Sequence, residues 1–517
     1  MPAVMKKLPI GLQNLREMRT QGYVYVDKTA HVARLAEEGK YYFLARPRRF
    51  GKSLLVDTLA EAFAGSRELF EGLYLENHWD WSRKYPVLRF DFSQGVLPDR
   101  ALLDATLLGQ LRLNHERYGL AWEEAPVHIA LDRLVRNLRQ AAGQPVVLLI
   151  DEYDKPILDN LQNPEQARAM REGLRNFYSV IKSLDPHLKF VLLTGVSKFS
   201  KVSLFSGLNN LEDITIDPRV ATLCGYTQAE LVGAFAEHLE GVDLAEVKRW
   251  YNGYNFLGEP VYNPFDILLY LRHREFRPYW FETGTPTFLI DLLAARGFFT
   301  PDLARLRTGL ELLSTFDVDH IATEALLFQT GYLTIHKAEE PIRGHWVYTL
   351  GYPNHEVEAS LNASLLSVYT DDPGKSFAHR LRLLDLLLAD NLDGLPDLFH
   401  ALFASIPHQW YDNNPISRYE GYYASVFYSH FAALGLDIVL EDATNQGRID
   451  MTVKCRDRIY LFEFKVVEIA PEGRALQQLK DRGYAEKYRA GGEPIYLIGV
   501  EFSRDRRNLA GFAWERG

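Results

Sequence analysis

Short apolar runs alternate with helical patterns along the first part of the chain. The runs at residues 41–45, 87–92, 145–150 and 189–194 have the length and composition of buried strands, and helical patterns lie at 54–63 and within 100–142. Strands that alternate with helices form a parallel sheet covered by helices on both faces. We therefore expect an α/β domain whose ligands bind at the carboxyl edge of the sheet.

The pattern changes beyond residue 215. Aromatic residues cluster from about 250 to 293, which suits a compact helical lid. A helical pattern, strand-like runs at 327–335 and 346–350, and a helix from about 355 then suggest a winged-helix-like connector. A connecting role is favoured over DNA binding for this unit, because Glu339 and Glu340 lie in its expected wing. Mostly helical residues follow, and a further domain begins near residue 411.

The loop after the first strand carries candidate chemistry. It reads Arg-Pro-Arg-Arg-Phe-Gly-Lys-Ser at residues 46–53 and leads into a helix. In phosphate-binding loops, main-chain N–H groups and a lysine bind phosphates, and a hydroxyl binds Mg²⁺. Lys52 and Ser53 would take the last two roles, although Arg46 stands where the usual motif has glycine. A plain strand, turn and helix is the alternative.

Acidic residues at the end of a later strand favour the phosphate-binding interpretation. Asp151 and Glu152 directly follow the apolar run at 145–150. Asp151 could hold Mg²⁺ through water, and Glu152 could orient or deprotonate the water that attacks the γ-phosphate of ATP. Thr194 ends a strand at the same expected edge, where it could sense the γ-phosphate or simply terminate the strand.

A predicted hairpin near the end of the chain carries a second group of polar residues. If Arg456 and Asp457 form a two-residue turn, Asp450 stands directly opposite Glu463, and Lys465 shares their face of the sheet. Adjacent like charges are unfavourable unless a cation joins them, so Mg²⁺ or Mn²⁺ is expected here. A surface ladder of ion pairs is the alternative.

The length and composition of the chain limit the number of domains and the class of protein. A chain of 517 residues is expected to form two to four domains. The net charge of -10 argues against a protein that coats nucleic acid, but it leaves room for a local basic site. Two cysteines provide no disulfide framework, and no apolar run approaches the roughly 20 residues of a membrane span. We expect a cytoplasmic protein without a membrane segment.

The first set of motifs resembles the bacterial AAA-ATPase-like family. The resemblance rests on residues 46–53, on Leu-Ile-Asp-Glu-Tyr-Asp at 149–154, on Thr-Gly-Val-Ser-Lys at 194–198, and on Tyr-Val-Asp-Lys-Thr at 25–29. It implies a P-loop NTPase domain over 1–215, a helical lid over 216–300, and a winged-helix-like and helical connector over 301–405. We assign the catalytic role to Glu152 and ATP and Mg²⁺ binding to Arg48, Arg49, Gly51, Lys52, Ser53, Asp151 and Thr194, with Ser53 and Asp151 on the metal.

The second set resembles the PD-(D/E)XK nuclease superfamily, over residues 406–517. The resemblance rests on a helix with Glu420, a Gly-Arg-Ile-Asp strand at 447–450, Glu-Phe-Lys at 463–465, and a following helix. It implies that Asp450 and Glu463 bind the metal, that Lys465 is the catalytic lysine and that Glu420 is a helper acid. A glutamine and Tyr484 of the following helix would border the site. If the glutamine is Gln477, the two residues are seven apart and share one helix face.

We choose Gln477 for this role and leave Gln478 as the alternative. The expected protein is thus an ATP-binding and ATP-hydrolysing protein coupled to a metal-dependent nuclease acting on DNA or RNA, with homo-oligomer formation left open. The other hypothesis is a nucleotide-dependent signalling or interaction protein whose nuclease-like domain only binds nucleic acid or a partner. An arginine finger is left unassigned among Arg48, Arg49, Arg171 and Arg175.

Overall fold

The computed structural model divides the chain into two compact units, Met1–Thr283 with Arg307–Asn354 and Gly284–Leu306 with His355–Gly517. It describes residues 5–198, 208, 210–284, 289–290, 292–293, 303–310, 313, 316–317, 320–369, 373–406 and 420–517. The domain start expected near residue 411 lies outside these ranges, and the boundaries at 215, 300 and 405 stay predictions. No helix within these ranges is long and apolar enough to cross a membrane.

The first unit contains a five-stranded sheet in the order β2-β3-β4-β1-β5, and all its paired strands are parallel. The strands are β1 Tyr41–Ala45, β2 Val87–Asp91, β3 Val146–Asp151, β4 Leu188–Gly195 and β5 Glu212–Asp213. All residues of β1 and β3 are buried, as expected when helices cover both faces. The parallel α/β sheet predicted from the sequence is confirmed, and the ends of β1, β3 and β4 meet at one edge.

Several helices of the first unit begin where a short polar side chain caps them. Asn14, Asp99 and Asn163 each accept a hydrogen bond from a main-chain N–H in the first turn of the helix that follows. These helices are α1 Leu15–Thr20, α2 Thr29–Glu38, α3 Lys52–Ala64, α4 Arg100–Arg117, α5 Val127–Ala142, α6 Lys155–Leu158, α7 Pro164–Ser179, α8 Gln228–Ala234, α9 Leu244–Tyr251, α10 Pro264–His273 and α11 Tyr279–Gly284.

A helix and a hairpin complete this part of the chain. The elements are β6 Leu306–Gly309, β7 Phe316–Asp317, β8 His320–Ile321, α12 Thr323–Thr330, β9 Thr334–Ile342 and β10 His345–Gly351. The strand predicted at 327–335 is wrong in its first half, because α12 continues to Thr330 and ends at Gly331, whose φ is +94°. A short apolar run does not distinguish a buried helix from a strand.

The second unit packs helices on both faces of a mixed sheet in the order β11-β12-β13-β14-β15. β13 and β14 are parallel, and the other pairs are antiparallel. The elements are α13 His355–Tyr369, α14 Pro373–Leu388, α15 Leu395–Ser405, α16 Glu420–Ala432, β11 Asp437–Thr444, β12 Gly447–Cys455, β13 Arg458–Val467, α17 Arg474–Asp481, β14 Ile495–Ser503 and β15 Asn508–Arg516. Residues of α14 to α16 pack on one face of the sheet, and α17 packs on the other.

The hairpin of β12 and β13 has the predicted register. Cys455 pairs with Arg458 across the two-residue turn, and the ladder continues to the pair of Met451 and Phe462. Arg456 adopts a left-handed conformation with φ of 54°, which the tight turn requires. The predicted hairpin is therefore confirmed as far as residue 451.

Candidate functional site

The loop between β1 and α3 has the form of a phosphate-binding loop. Gly51 has a φ of +88°, and α3 begins at the next residue, so the first N–H groups of the helix face the loop. The buried Lys52 ammonium donates hydrogen bonds to the carbonyl oxygens of Arg46 at 3.0 Å and Pro47 at 3.1 Å. The loop therefore holds its own lysine at the N-terminus of α3.

Arg46 explains how this loop forms without its usual first glycine. The side chain is buried, and its Nη1 atom donates to the carbonyl oxygens of Ala45 at 2.9 Å and Thr215 at 2.5 Å. The guanidinium carbon lies 3.8 Å from the centre of the Phe256 ring. Burial lowers the pKa of Arg46 to about 10. The arginine thus packs into the protein core and anchors the loop.

Two further arginines of the loop are exposed. The Trp280 indole N–H donates to the carbonyl oxygen of Arg48 at 3.1 Å. Arg49 has a φ of 67°, and its guanidinium carbon lies 4.7 Å from the centre of the Phe265 ring. Both arginines line the same cavity as Lys52, whereas Arg171 and Arg175, on α7, each lie 3.6 Å from Glu172.

The predicted acids meet at the carboxyl edge of the sheet. Asp151 is buried at the end of β3, and the Thr194 hydroxyl at the end of β4 donates a hydrogen bond to its Oδ1 atom. Glu152 has a left-handed φ of 52°, a strained conformation that is common at functional sites. Burial raises the pKa of Glu152, and the charges of Lys52 and Arg48 oppose this shift. These side chains form one group, as the strand order requires.

Asp154 belongs to this edge and was not singled out from the sequence. Its buried carboxylate accepts hydrogen bonds from the N–H of Val196 at 3.1 Å and from the N–H and hydroxyl of Ser197, each at 2.6 Å. Burial raises the pKa of this carboxyl, although the bonds from Ser197 act to lower it. Asp154 therefore ties the end of β3 to the end of β4.

A cavity of about 430 Å³ extends from the loop into an apolar region. Lys28 stabilises the wall of this cavity, since the Lys28 ammonium donates hydrogen bonds to Glu230 Oε2 at 2.6 Å and to the Thr222 carbonyl oxygen at 2.7 Å. This region could not be predicted from the sequence because its walls come from distant segments. Its apolar lining includes Leu12, Val24, Tyr25, Val26, Tyr226, Phe265 and Leu268.

The nuclease-like residues meet on β12 and β13 of the second unit. The Asp450 carboxylate accepts a hydrogen bond from the Phe464 N–H at 2.8 Å. The backbone pairing of β12 and β13 ends at Met451 and Phe462, so the predicted direct pairing of Asp450 with Glu463 is not formed. The hydrogen bond from the Phe464 N–H to the Asp450 side chain takes its place. Glu463 is buried, and the Lys465 ammonium lies 3.0 Å from its Oε1 atom and 2.9 Å from the Phe464 carbonyl oxygen.

The choice of Gln477 is corrected by the contacts of α17. The Gln478 side-chain amide donates a hydrogen bond to Glu463 Oε1, whereas the Gln477 amide donates to Asp481 Oδ1 at 2.7 Å on an exposed surface. Neighbouring residues of a helix point about 100° apart, since one turn takes 3.6 residues, so only one of the two can face the sheet. Gln478, the alternative left open by the sequence, contacts the candidate site.

The shared helix face predicted for Gln477 and Tyr484 is also wrong. Helix α17 ends at Asp481, and Tyr484 begins a separate 3₁₀ turn after Gly483, whose φ is +58°. Both residues nevertheless line a groove of about 820 Å³, together with Gln478, Arg474 and Arg482. The groove therefore runs beside the residue that contacts Glu463.

The oxygen atoms present fit a hard divalent cation at each site. Asp450 and Glu463 would supply oxygen ligands in the second unit, and Ser53 and Asp151 would supply them in the first. No cluster of three or more His, Cys, Asp or Glu ligands occurs among the described residues, so either ion would also need water or substrate oxygens. Glu420 is the first residue of α16, but its side chain lies outside the described part.

Comparisons with known proteins agree with this picture. Residues 9–205 match the family model described as a predicted AAA-ATPase, and residues 418–511 match that of the PD-(D/E)XK nuclease superfamily. The fold and the motifs thus define an AAA-ATPase-like protein with a PD-(D/E)XK nuclease-like domain, as the sequence predicted. The chain is 58% identical over 511 residues, 99% of each chain, to a protein of Azotobacter chroococcum mcd 1 described as an uncharacterized protein in the vnfD 5' region. The chain belongs to the same family as that protein.

Proposed function

We propose that the first unit binds and hydrolyses ATP. The loop N–H groups, Lys52 and the exposed Arg48 and Arg49 would bind the phosphates, and the apolar part of the cavity would take the base. Ser53 and Asp151 would hold Mg²⁺, which would neutralise charge on the phosphates when bound. The grouping of Lys52, Asp151 and Glu152 at one sheet edge carries this proposal.

Glu152 would act as the general base and Thr194 would orient it indirectly. The raised pKa of Glu152 favours proton uptake from a water molecule, since a base works best when its pKa approaches the working pH. Thr194 donates to Asp151, the residue before Glu152, and so fixes the end of β3. Glu152→Gln should therefore bind ATP but hydrolyse it about 100-fold more slowly, as a steady-state ATPase assay would measure.

Nucleotide binding is tested with Lys52→Ala and a matched control. Removing the ammonium should weaken ATP binding at least tenfold, or about 1.4 kcal/mol, in isothermal titration calorimetry. Lys84→Ala removes an exposed lysine of the same unit that does not line the cavity, and it should bind ATP as the unmodified protein does. Equal affinities for Lys52→Ala and the control would contradict the proposal.

We propose further that the second unit is a metal-dependent nuclease. The contacts of Lys465 and Gln478 with Glu463, beside Asp450, are the observation that carries this proposal. Asp450 and Glu463 would hold Mg²⁺ or Mn²⁺, which would activate water and stabilise charge on the phosphate. Lys465 would stabilise charge that develops on the scissile phosphate. Arg474 and Arg482 would bind the backbone of DNA or RNA along the adjacent groove.

Cleavage is tested with Asp450→Asn, which keeps the shape of the side chain and removes its charge. We expect metal-dependent cleavage to disappear in Asp450→Asn and in Lys465→Ala while thermal unfolding stays close to that of the unmodified protein. Asp457→Asn, an exposed change in the turn of the same hairpin, should cleave normally. Cleavage that persists in Asp450→Asn would show that another site is responsible.

A further inference from the structure

Glu501, on β14, holds the N-terminus of α17 from within the sheet. Its buried carboxylate accepts hydrogen bonds from the N–H groups of Glu472 at 2.5 Å, Gly473 at 3.1 Å and Ala475 at 3.3 Å. Burial by itself would raise the pKa of Glu501, but these main-chain bonds outweigh it and the pKa is lowered. The carboxylate therefore takes the place of the local side chain that usually caps a helix.

Gly499 provides a second support two residues earlier on β14. A Cβ atom at this position would lie 2.2 Å from the main-chain nitrogen of Leu476, in the first turn of α17. The backbone of α17 thus rests directly on β14, because glycine leaves the space free. No other residue fits without displacing the helix.

Both supports lie beside the candidate nuclease residues of β13. The parallel register pairs Gly499 with Glu463 and Glu501 with Lys465. Gln478, one turn further along α17, donates its hydrogen bond to Glu463. The two β14 residues and the two β13 residues therefore share one face, and α17 spans the distance between them.

We propose that Glu501 and Gly499 are positioning residues of the nuclease site, which seat α17 so that Gln478 reaches Glu463. This inference rests on the nuclease function proposed above. A side chain that acts on a reacting centre must be held within about 0.5 Å of its working position. A displaced α17 would move Gln478 away from Glu463 without altering Asp450, Glu463 or Lys465.

The test is a double-mutant cycle of Glu501→Gln and Gln478→Ala. The glutamine of Glu501→Gln has one acceptor oxygen, and its amide group would face N–H donors, so the cap is broken while the volume is kept. We expect each single variant to cleave about tenfold more slowly than the unmodified protein. The double variant should cleave no more slowly than the slower of the two single variants, because both changes remove the same contact. A merely structural role of Glu501 would make the two effects multiply, and that result would overturn the inference.

A matched control and a second variant keep the test decisive. Glu515→Gln also removes an acid that contacts α17, but only through an exposed ion pair of 2.9 Å with Lys480, and it should cleave normally. Gly499→Ala should reproduce the loss of Glu501→Gln if the latter does not fold. Normal cleavage by a folded Glu501→Gln or Gly499→Ala would overturn the inference.

Failure of the positioning role of Glu501 and Gly499 can be distinguished from failure of the proposed nuclease function. If the unmodified protein cleaves no substrate, that proposal fails, and the cycle is repeated with Mn²⁺ binding by calorimetry as the readout. Glu501→Gln and Gln478→Ala should then raise the dissociation constant for Mn²⁺ by similar factors, with no further increase in the double variant. Unchanged Mn²⁺ affinity in both single variants would overturn the positioning role.

Discussion

Arg46 stands where most phosphate-binding loops have glycine, and its side chain lies in the core of the first unit. We predict that Arg46→Gly destabilises this unit, because it opens a cavity and removes the contacts with Phe256 and the Thr215 carbonyl. The expected loss is about 2 to 4 kcal/mol in the free energy of unfolding, measured by urea denaturation. Restoring the usual glycine should therefore harm this protein.

The neighbouring Arg48→Gly is the control for that change. Arg48 is exposed and lines the cavity proposed to bind ATP, so its removal should weaken ATP binding and leave the free energy of unfolding within about 0.5 kcal/mol. If Arg46→Gly proved as stable as the unmodified protein, the anchoring role of the buried arginine would be wrong.

Single residues show where reasoning from the sequence stops. Lys52, Asp151 and Glu152 could be found because each follows a recognisable strand or motif. The seven-residue spacing to Tyr484 favours Gln477 only if one helix contains both residues, and α17 ends at Asp481, so the sequence does not show that Gln478 faces Glu463. The sequence shows that Arg46 replaces the usual glycine of a phosphate-binding motif, but its role as an anchor appears only when the folded chain brings Phe256 and Thr215 against it.

The end of α12 packs against the phosphate-binding loop. Gly331, which ends α12, has a φ of +94°, and a Cβ atom there would lie 2.8 Å from the Cβ atom of Pro47. Gly331→Ala should lower the free energy of unfolding by about 2 kcal/mol and weaken ATP binding, because it combines backbone strain with displacement of Pro47. Denaturation and ATP titration of the same preparation would measure both effects.

Gly344, in the turn of the β9–β10 hairpin, is a matched control for Gly331. Its φ is +85°, but a Cβ atom there meets nothing within 4 Å. Gly344→Ala should therefore show only the cost of backbone strain, about 1 kcal/mol, with normal ATP binding. Equal effects of the two substitutions on ATP affinity would show that the contact between Gly331 and Pro47 is unimportant.

Helices and strands were predicted correctly where a short stretch of sequence determines them, and less well where distant segments do. The β12–β13 register was correct because Arg456 and Asp457 fix the turn and side chains alternate on each strand. The first strand of the β9–β10 hairpin was misplaced because residues 327–335 form a short, mostly apolar run without a clear period. The apolar part of the cavity proposed to bind ATP was missed because no single segment forms it.

Stability of the second unit should depend on pH through His430. This histidine is buried on α16, 5.8 Å from the Phe399 ring, and burial lowers its pKa from 6.5 to about 3. Between these values the unfolded chain takes up a proton that the folded protein does not, so stability falls as the pH falls from 6.5 towards 3. At pH 5 the loss relative to pH 7 should be about 2 kcal/mol.

Urea denaturation of the unmodified protein and His430→Phe at pH 7 and pH 5 would test this dependence. His379, whose ring centre lies 6.5 Å from that of His430, is kept in both proteins, so the difference between their pH dependences reports the loss of the His430 imidazole and of its contact with His379. We expect His430→Phe to lose about 2 kcal/mol less than the unmodified protein between the two pH values. Identical pH dependences would show that His430 does not remain neutral in the folded state.

At the scale of the whole molecule, we propose that the two activities are coupled, as the sequence leads us to expect, so that ATP controls cleavage of nucleic acid. One assay tests this claim most directly. The initial rate of cleavage of single- and double-stranded DNA and RNA would be measured with Mg²⁺ or Mn²⁺, with and without ATP, for the unmodified protein, Asp450→Ala and Lys52→Ala. We predict that cleavage is absent in Asp450→Ala and that ATP changes the rate for the unmodified protein but not for Lys52→Ala. Failure to cut any of these substrates, with ATP turnover intact, would contradict the account and favour a nucleotide-dependent signalling or binding protein.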